Sequence, residues 1–471
     1  MFDSFLLVNQ WAILLYFLVL NSFYAVLLLA AGRYQHWQKR ASWHQDQMRL
    51  LSSQIAPSMS VLAPAYNEEA TVSQSVRALL TLSYPGLEVV VINDGSKDGT
   101  IDVLTRDFKL EPDDAIHFRH LESAKVRAIY RSRTSPQLLV VDKENGGKAD
   151  TLNAGLDIAS GDLVCAIDAD TLIEPDALLK MVQPFLTRDD VIATGGTLRA
   201  VNGSEVRSGR VDVPHVPTNL LAGCQTVEYF RAFLFGRMGW NLMGGNLIIS
   251  GAFGLFRRAA VLDAGGYMHD SVGEDMELVV RMRRRALDKG EPNQVISIPD
   301  PVAWTEVPES LRTLGRQRDR WHRGLSDVMW QFRGMVFNPR YGTVGVVVVP
   351  FFLFVELLGP VVEALGVLGL AVSLLLGVVN WQFGVLFFLV AYGYGLLLNL
   401  LTLLLADLGE RRYPRLIDRS RLLLWVLVES LLYRPVTVVW RLRGIWRFLR
   451  GRREWGQMTR KGFGTSAGDA R

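Results

Sequence analysis

The chain opens on an apolar run, closes on several more, and alternates between short apolar and helical-period segments in the middle. Residues 5–31 (FLLVNQWAILLYFLVLNSFYAVLLLAA) contain no charged side chain. The run exceeds the ~20 residues that a helix needs to cross a bilayer, so a transmembrane helix is predicted within residues 1–35. A cleaved leader would have a basic start, a shorter apolar core and a small-residue cleavage site. Here Arg33, Lys39 and Arg40 follow the run instead. By the positive-inside rule this puts the N-terminus outside and the next segment in the cytosol.

From residue 57 to about 335 the pattern is different. Residues 60–64 read as a strand and residues 69–82 as a helix closed by Tyr84-Pro85. Residues 87–92 are continuously apolar, as in a parallel strand buried on both faces, and lead into the turn Asn93-Asp94-Gly95-Ser96. Residues 138–141 predict another strand, followed by a Gly146-Gly147 turn and a helix over 148–158. Residues 163–167 predict a further strand that ends at Asp168. A β-α-β-α order implies an α/β domain with a mostly parallel sheet and helices on both faces. Such sheets bind ligands at the carboxyl ends of their strands, where the acidic positions fall.

The C-terminal third is apolar again. Residues 344–380 are interrupted by Pro350, Glu356, Gly359-Pro360 and Glu363. They are either one kinked span or an interfacial helix followed by a span. The two glutamates either pair with other polar groups between helices or line a polymer channel, because acids within a membrane face a cavity or a partner. Residues 383–406 predict a clearer span, followed by Arg411, Arg412, Arg415 and Arg419. The run 422–440 holds Glu429, Arg434 and Pro435 between two basic flanks. Both flanks prefer the cytosolic side, so a re-entrant or interfacial element is expected there. Transmembrane and interfacial helices are thus expected over 343–441, and a basic tail over 442–471.

Composition agrees with a mixed chain: 49% hydrophobic residues are many for a soluble enzyme, and 21% charged residues are too many for membrane spans alone. The net charge of +4, from 51 basic and 47 acidic residues, gives no ground for a nucleic-acid partner. The basic excess gathers between Arg441 and Lys461 and suits an anionic membrane face. Cys165 and Cys224 have no C-x-x-C partner, which argues against a disulfide framework or a zinc site.

The candidate chemistry lies at the predicted strand ends and helix starts. Asp168-Ala169-Asp170 is either a surface turn or a pair of hard oxygen ligands for Mg²⁺ or Mn²⁺ shared with a diphosphate. Asp94 either caps the following turn or recognises a nucleotide. Tyr66, in Pro64-Ala65-Tyr66-Asn67-Glu68-Glu69, either packs locally or stacks on a base. Lys148 starts a helix after two glycines, where backbone N–H groups also favour anions. Asp275 in Gly273-Glu274-Asp275 is either an N-cap or a general base for an acceptor hydroxyl. Gln317-Arg318-Asp319-Arg320-Trp321 carries a flat indole for a sugar ring. Arg316, Arg318, Arg320 and Arg323 give this segment anion-binding capacity.

In this order, D, D-x-D, E-D and Q-x-x-R-W resemble the processive family 2 glycosyltransferases, the group of the hyaluronan, chitin, cellulose and poly-β-1,6-N-acetylglucosamine synthases. The resemblance covers residues 57–335 and implies a GT-A domain. It implies that Tyr66, Glu68, Asn93, Asp94, Lys148, Asp168, Asp170 and Arg320 bind the nucleotide sugar, with Asp168 and Asp170 on the metal. Asp275 is then the base, and Glu274, Ser250, Gly251, Gln317 and Trp321 bind the acceptor. Inversion implies a β-linked polysaccharide grown from a UDP-sugar, with export through the bilayer. Asn145-Gly146-Gly147-Lys148-Ala149-Asp150 looks closest to the N-acetylglucosamine polymer synthases and points to UDP-GlcNAc. Residues 454–460 loosely resemble a W-G-T-R gating loop through Trp455 and Arg460, although two residues intrude before Thr459. The readings that compete are a transferase adding a single sugar to a lipid, and a non-catalytic membrane scaffold. Accessory export or regulatory proteins are left open.

Overall fold

The computed structural model describes residues 2–40, 56–113, 120–168, 171–207, 209–409 and 412–451. The described chain divides into two units. One holds residues 56–215 and 247–306, and the other holds residues 2–40, 216–246 and 307–451. Residues 216–246 and 307–335, inside the domain expected over 57–335, belong to the second unit. The reason is packing. The segment over 216–246 is rich in apolar side chains that turn toward the N-terminal helix. Trp240 sits 5.5 Å from Phe23, and a Cβ at Gly239 would lie 2.6 Å from the Leu27 carbonyl oxygen.

In the first unit the strands are β1 (Met59–Ala65), β2 (Leu87–Asp94), β3 (Leu110–Pro112), β4 (Val126–Ser132), β5 (Leu138–Lys143), β6 (Leu163–Ile167), β7 (Leu172–Ile173), β8 (Val191–Ala200), β9 (Glu205–Arg207), β10 (Arg210–Val213), β11 (Phe253–Arg257) and β12 (Gln294–Thr305). β9 and β10 form a separate ribbon; the others form one sheet in the order β3-β4-β5-β2-β1-β6-β11-β8-β12-β7. The run β5-β2-β1-β6 is parallel, as the alternation implied. β4, β11 and β7 join antiparallel, so the whole sheet is mixed rather than mostly parallel. Only a short turn separates β4 from β5, and a parallel pair needs a crossover of a dozen residues or more.

The strands that carry the site are buried on both faces. Leu62, Val90, Ile92 and Val141 pack with Leu152 and Leu156 of the helix Lys148–Ile158. Each such side chain contributes roughly 1.5–3 kcal/mol when fully buried. Gly155 lets that helix ride low on the sheet, since a Cβ there would lie 2.9 Å from Ile92 Cδ1. This rigid layer holds the C-terminal ends of β1, β2, β5 and β6 along one edge.

The second unit is helical. Among the described residues, three helices are long and apolar enough to cross a membrane: Leu6–Trp37, Trp381–Leu408 and Leu416–Leu449. The helix pair Val344–Leu357 and Gly359–Leu375 passes the same test together and bends by 44° at Gly359-Pro360. The run 422–440, where a re-entrant or interfacial element is expected, lies within one continuous helix. Leu416–Leu449 is one unbroken helix with a π-helical turn at Glu429–Tyr433, and Pro435 sits where a helical segment restarts. The π turn absorbs the missing amide. Glu429 is met by Arg231 at 2.8 Å and by the Asn399 side-chain amide at 3.1 Å. Glu363 is met by Arg434 at 3.4 Å, while Glu356 accepts from the Tyr24 hydroxyl at 3.3 Å. Of the two readings for Glu356 and Glu363, the structure displays paired polar groups between helices.

Candidate active site

The loop after β1 and the loop after β2 are laced together. Asn67 takes a left-handed conformation with φ of 55°. Its backbone N–H donates to Ser96 Oγ at 2.9 Å, and its side-chain oxygen accepts from the Lys97 amide at 2.9 Å. The Glu68 amide donates to Thr100 Oγ1, and the Glu68 carboxylate accepts from Thr71 Oγ1 at 2.6 Å. The interlock leaves Tyr66 exposed at the strand end, as a stacking surface would be. The Glu68 carbonyl oxygen accepts from the Thr71 and Val72 amides at 3.0 and 2.8 Å, where the next helix begins.

Asp94 lies at the end of β2 and is 5% exposed. Each of its carboxylate oxygens receives two donors. Oδ1 accepts from Lys143 Nζ at 2.6 Å and from the Gly146 amide at 2.9 Å. Oδ2 accepts from the Asn145 side chain at 3.1 Å and from the Gly147 amide at 2.9 Å. The Asn93 side chain donates to Asp142 Oδ1 at 2.7 Å across the β2–β5 pair. Both residues are turned into the protein. Sequence reasoning missed Lys143, Asn145 and Asp150 here. The available signal was a lysine closing a strand that begins with four apolar residues.

The fully assembled part of the site surrounds Lys148, the first residue of its helix. Lys148 Nζ lies 2.6 Å from Asp168 Oδ1 and 3.6 Å from Glu274 Oε1, and it donates to the Gly251 carbonyl oxygen at 3.4 Å. Burial opposes the charge on Lys148. The carboxylates of Asp168 and Glu274 outweigh it and hold the ammonium above the ordinary lysine range. Asp275 Oδ2 accepts from the Gly251 amide at 3.1 Å, and Oδ1 from the Met276 amide at 2.8 Å. Glu274 and Asp275 open the helix Glu274–Lys289, where the helix dipole favours negative charge. The loop before that helix is pinned from both sides. Asn153 exchanges hydrogen bonds with the Tyr267 backbone at 2.7 and 2.9 Å. Arg281, paired with buried Glu277 at 2.7 Å, donates to the carbonyls of Ala264 and Gly266. Lys148, Asp168, Gly251, Glu274 and Asp275 are therefore brought together, although Lys148 and Asp275 are far apart in sequence. Ser250 accepts from the Ala252 amide at 3.4 Å.

Gln317, Arg320 and Trp321 belong to the helix Leu311–Gln331 of the other unit. Trp321 is 43% exposed. The Arg318 guanidinium lies over its ring, 4.2 Å from the centroid. Arg318 is buried and donates to Glu228 Oε2 at 2.6 Å and to the Tyr433 hydroxyl at 3.1 Å. Arg323 and Arg447 meet buried Asp319 at 3.1 and 3.0 Å. Arg318 and Arg323 are thus spent on internal pairs, which corrects their reading as free anion-binding groups. The helix turns these charged side chains inward because partners wait there.

Asp170, Trp455 and Arg460 lie outside the described residues. Among the described residues, no three His, Cys, Asp or Glu side chains converge to hold a metal. What remains is Asp168, a quarter exposed, at a strand end. One or two carboxylates suit a hard ion that takes its other ligands from a diphosphate and water. The donor set fits Mg²⁺ or Mn²⁺ in that shared form.

A family described as "Glycosyltransferase like family 2" matches residues 56–324, more than half of the chain. The chain belongs to glycosyltransferase family 2. It is 28% identical over 308 residues to the poly-β-1,6-N-acetyl-D-glucosamine synthase of Staphylococcus epidermidis, covering 65% of this chain and 64% of that protein. It is 29% identical over 272 residues to the same synthase of Staphylococcus aureus strain COL, covering 58% of this chain and 55% of that protein. The matches thus span less than two thirds of those relatives. Among solved structures, the mannosyltransferase PcManGT of Pyrobaculum calidifontis, in complex with GDP-Man and Mn²⁺, aligns with a TM-score of 0.52 and 17% identity over 90% of this chain and 98% of that one. At that identity the likeness is one of fold, and this member of family 2 has a GT-A fold.

Proposed function

We propose that this family 2 member is a membrane-embedded inverting glycosyltransferase that polymerises UDP-GlcNAc into a β-linked polysaccharide and passes the polymer across the bilayer. The observation that carries the proposal is the cluster of Lys148, Asp168, Glu274 and Asp275 at one sheet edge. It combines one cation for a departing diphosphate with a carboxylate, Asp275, that can take a proton. The similarity to the two staphylococcal synthases supports the polymer and the sugar. The long helices support a membrane location. They expose large apolar side chains such as Leu368 and Leu375, more than a water-facing surface tolerates.

In the proposed reaction the acceptor hydroxyl oxygen attacks the anomeric carbon opposite the diphosphate. The new C–O bond forms as the bond to the diphosphate oxygen breaks, and α becomes β. Asp275 accepts the hydroxyl proton, its carboxylate fixed by the Gly251 and Met276 amides. Lys148 stays protonated and compensates charge on the leaving UDP. A divalent ion held by Asp168 and Asp170 would supply Lewis-acid neutralisation of the same diphosphate. Tyr66 is assigned to the base, Arg320 to the diphosphate, and Gln317 and Trp321 to the acceptor sugar. Glu68, Asn93 and Asp94 are assigned to supporting the nucleotide site through the loops they tie. Residues 1–35 and 343–441 are assigned to the membrane part, and the tail with Trp455 and Arg460 to gating.

The test is UDP release by the purified protein with UDP-GlcNAc, UDP-glucose and UDP-glucuronate, followed by linkage and length analysis of the product. UDP-GlcNAc turnover into long β-linked chains is expected. Single-sugar lipid products alone would overturn the polymerase reading.

A further inference from the structure

Lys143 has no part in the chemistry above, yet it is the most completely enclosed cation near the site. Its side chain is 0% exposed. The ammonium donates to Asp94 Oδ1 at 2.6 Å and to the Glu144 carbonyl oxygen at 2.7 Å, and Asp150 Oδ1 lies against it as an ion pair at 2.5 Å. Enclosed on all sides by these groups, the ammonium is out of reach of a ligand. The two carboxylates are also enclosed, each with 7% side-chain exposure. Beyond Lys143, Asp94 takes the Gly146 and Gly147 amides, and Asp150 takes the Ala124 amide at 2.8 Å.

We propose that Lys143 is a positioning residue: with Asp94 and Asp150 it forms a buried charge triad that sets the Gly146-Gly147 turn, and through it Lys148, for the donor diphosphate. The turn and the triad depend on each other. Gly147 has φ of 86°, a conformation that favours glycine. A Cβ at Gly146 would overlap the Asp150 carboxyl group. Lys148 follows this turn directly, so its ammonium reaches Asp168 only when the turn is held. Asp94 then acts through the turn, because both of its oxygens are filled by protein donors. Without Lys143, two enclosed carboxylates would face one another uncompensated, the arrangement that buried sites tolerate least.

The diphosphate part rests on the proposed function; the positioning part does not. The experiment uses the full chain in detergent. It compares wild type with Lys143→Met and with the charge-balanced double variant Lys143→Met/Asp150→Asn, which keeps the fold if the single variant does not. Hydrogen exchange of the Gly146 and Gly147 amides is followed by mass spectrometry, and UDP binding by calorimetry. In wild type these amides should exchange slowly. In the folded double variant their exchange should rise at least tenfold, and UDP should bind at least tenfold more weakly. Intrinsic-rate exchange in wild type, or exchange and UDP binding in the double variant within twofold of wild type, would overturn the inference. Slow exchange that the double variant accelerates, with no UDP binding in wild type, would uphold the triad and remove the UDP reading instead.

Discussion

Replacing Asp275 with asparagine isolates the proton transfer assigned to it. Each carboxylate oxygen holds one backbone amide, Gly251 at 3.1 Å and Met276 at 2.8 Å. An asparagine keeps one acceptor and turns an N–H toward the other amide, so one hydrogen bond is lost. That costs about 1–3 kcal/mol locally. The cost falls on a helix start already held by Arg281 and Asn153, so the fold survives. The effect on catalysis is larger. A positioned general base contributes roughly 10²–10⁴ in rate, about 3–5 kcal/mol of barrier at 1.36 kcal/mol per decade. Asp275→Asn should therefore cut UDP-GlcNAc turnover by about 10²–10⁴, while UDP affinity changes by less than about threefold, because Lys148 and Asp168 keep their pair. Coupled detection of released UDP measures the first quantity and calorimetry the second. Turnover within about threefold of wild type in a folded variant would refute the reasoning and leave Asp275 as a helix N-terminal residue only.

Other consequences can be checked separately. Glu429→Leu strands Arg231 beside Asn399 and should destabilise the protein in detergent by roughly 3 kcal/mol, with Arg231→Met/Glu429→Leu recovering most of it; thermal unfolding reads both. A Cβ at Gly444 would lie 2.8 Å from the Asp319 carbonyl oxygen and 2.9 Å from His322 Cβ. Gly444→Ala should therefore push the helix Leu311–Gln331 off its neighbour at a cost of about 1–3 kcal/mol. Product chains should shorten while UDP affinity is unchanged; unaltered product length would separate that packing from acceptor handling. Burial pushes the Cys165 thiol well above the usual cysteine range, so at pH 8 the native protein should leave Cys165 unlabelled by iodoacetamide. Peptide mapping should find it alkylated only after unfolding, since the thiolate is the reactive form.

Local patterns in the chain already contained the parallel strands β1, β2, β5 and β6, with the aspartates that end β2 and follow β6. A run such as Val89–Ile92 has no stable alternative to burial on both faces, and the residue that follows must emerge at the sheet edge. The helices Leu6–Trp37 and Trp381–Leu408 were equally legible, because uncharged runs as long as 5–31 and 383–406 are stable only in an apolar surround. Three things depended on the tertiary structure. The antiparallel strands β4, β7 and β11 depend on which edge a returning segment meets, and hydropathy carries no such information. The unbroken course of Leu416–Leu449 goes with the ion pair from Arg231 and the hydrogen bond from Asn399 that satisfy Glu429, and both partners come from other helices. Asp94 at the end of β2 looked like a ligand-facing group. It proved to be enclosed, because a lysine 49 residues away closes over it at 2.6 Å. A carboxylate's residue type and strand-end place follow from local sequence. Whether its oxygens face a ligand or a buried ammonium is decided by which distant side chain the fold brings against them.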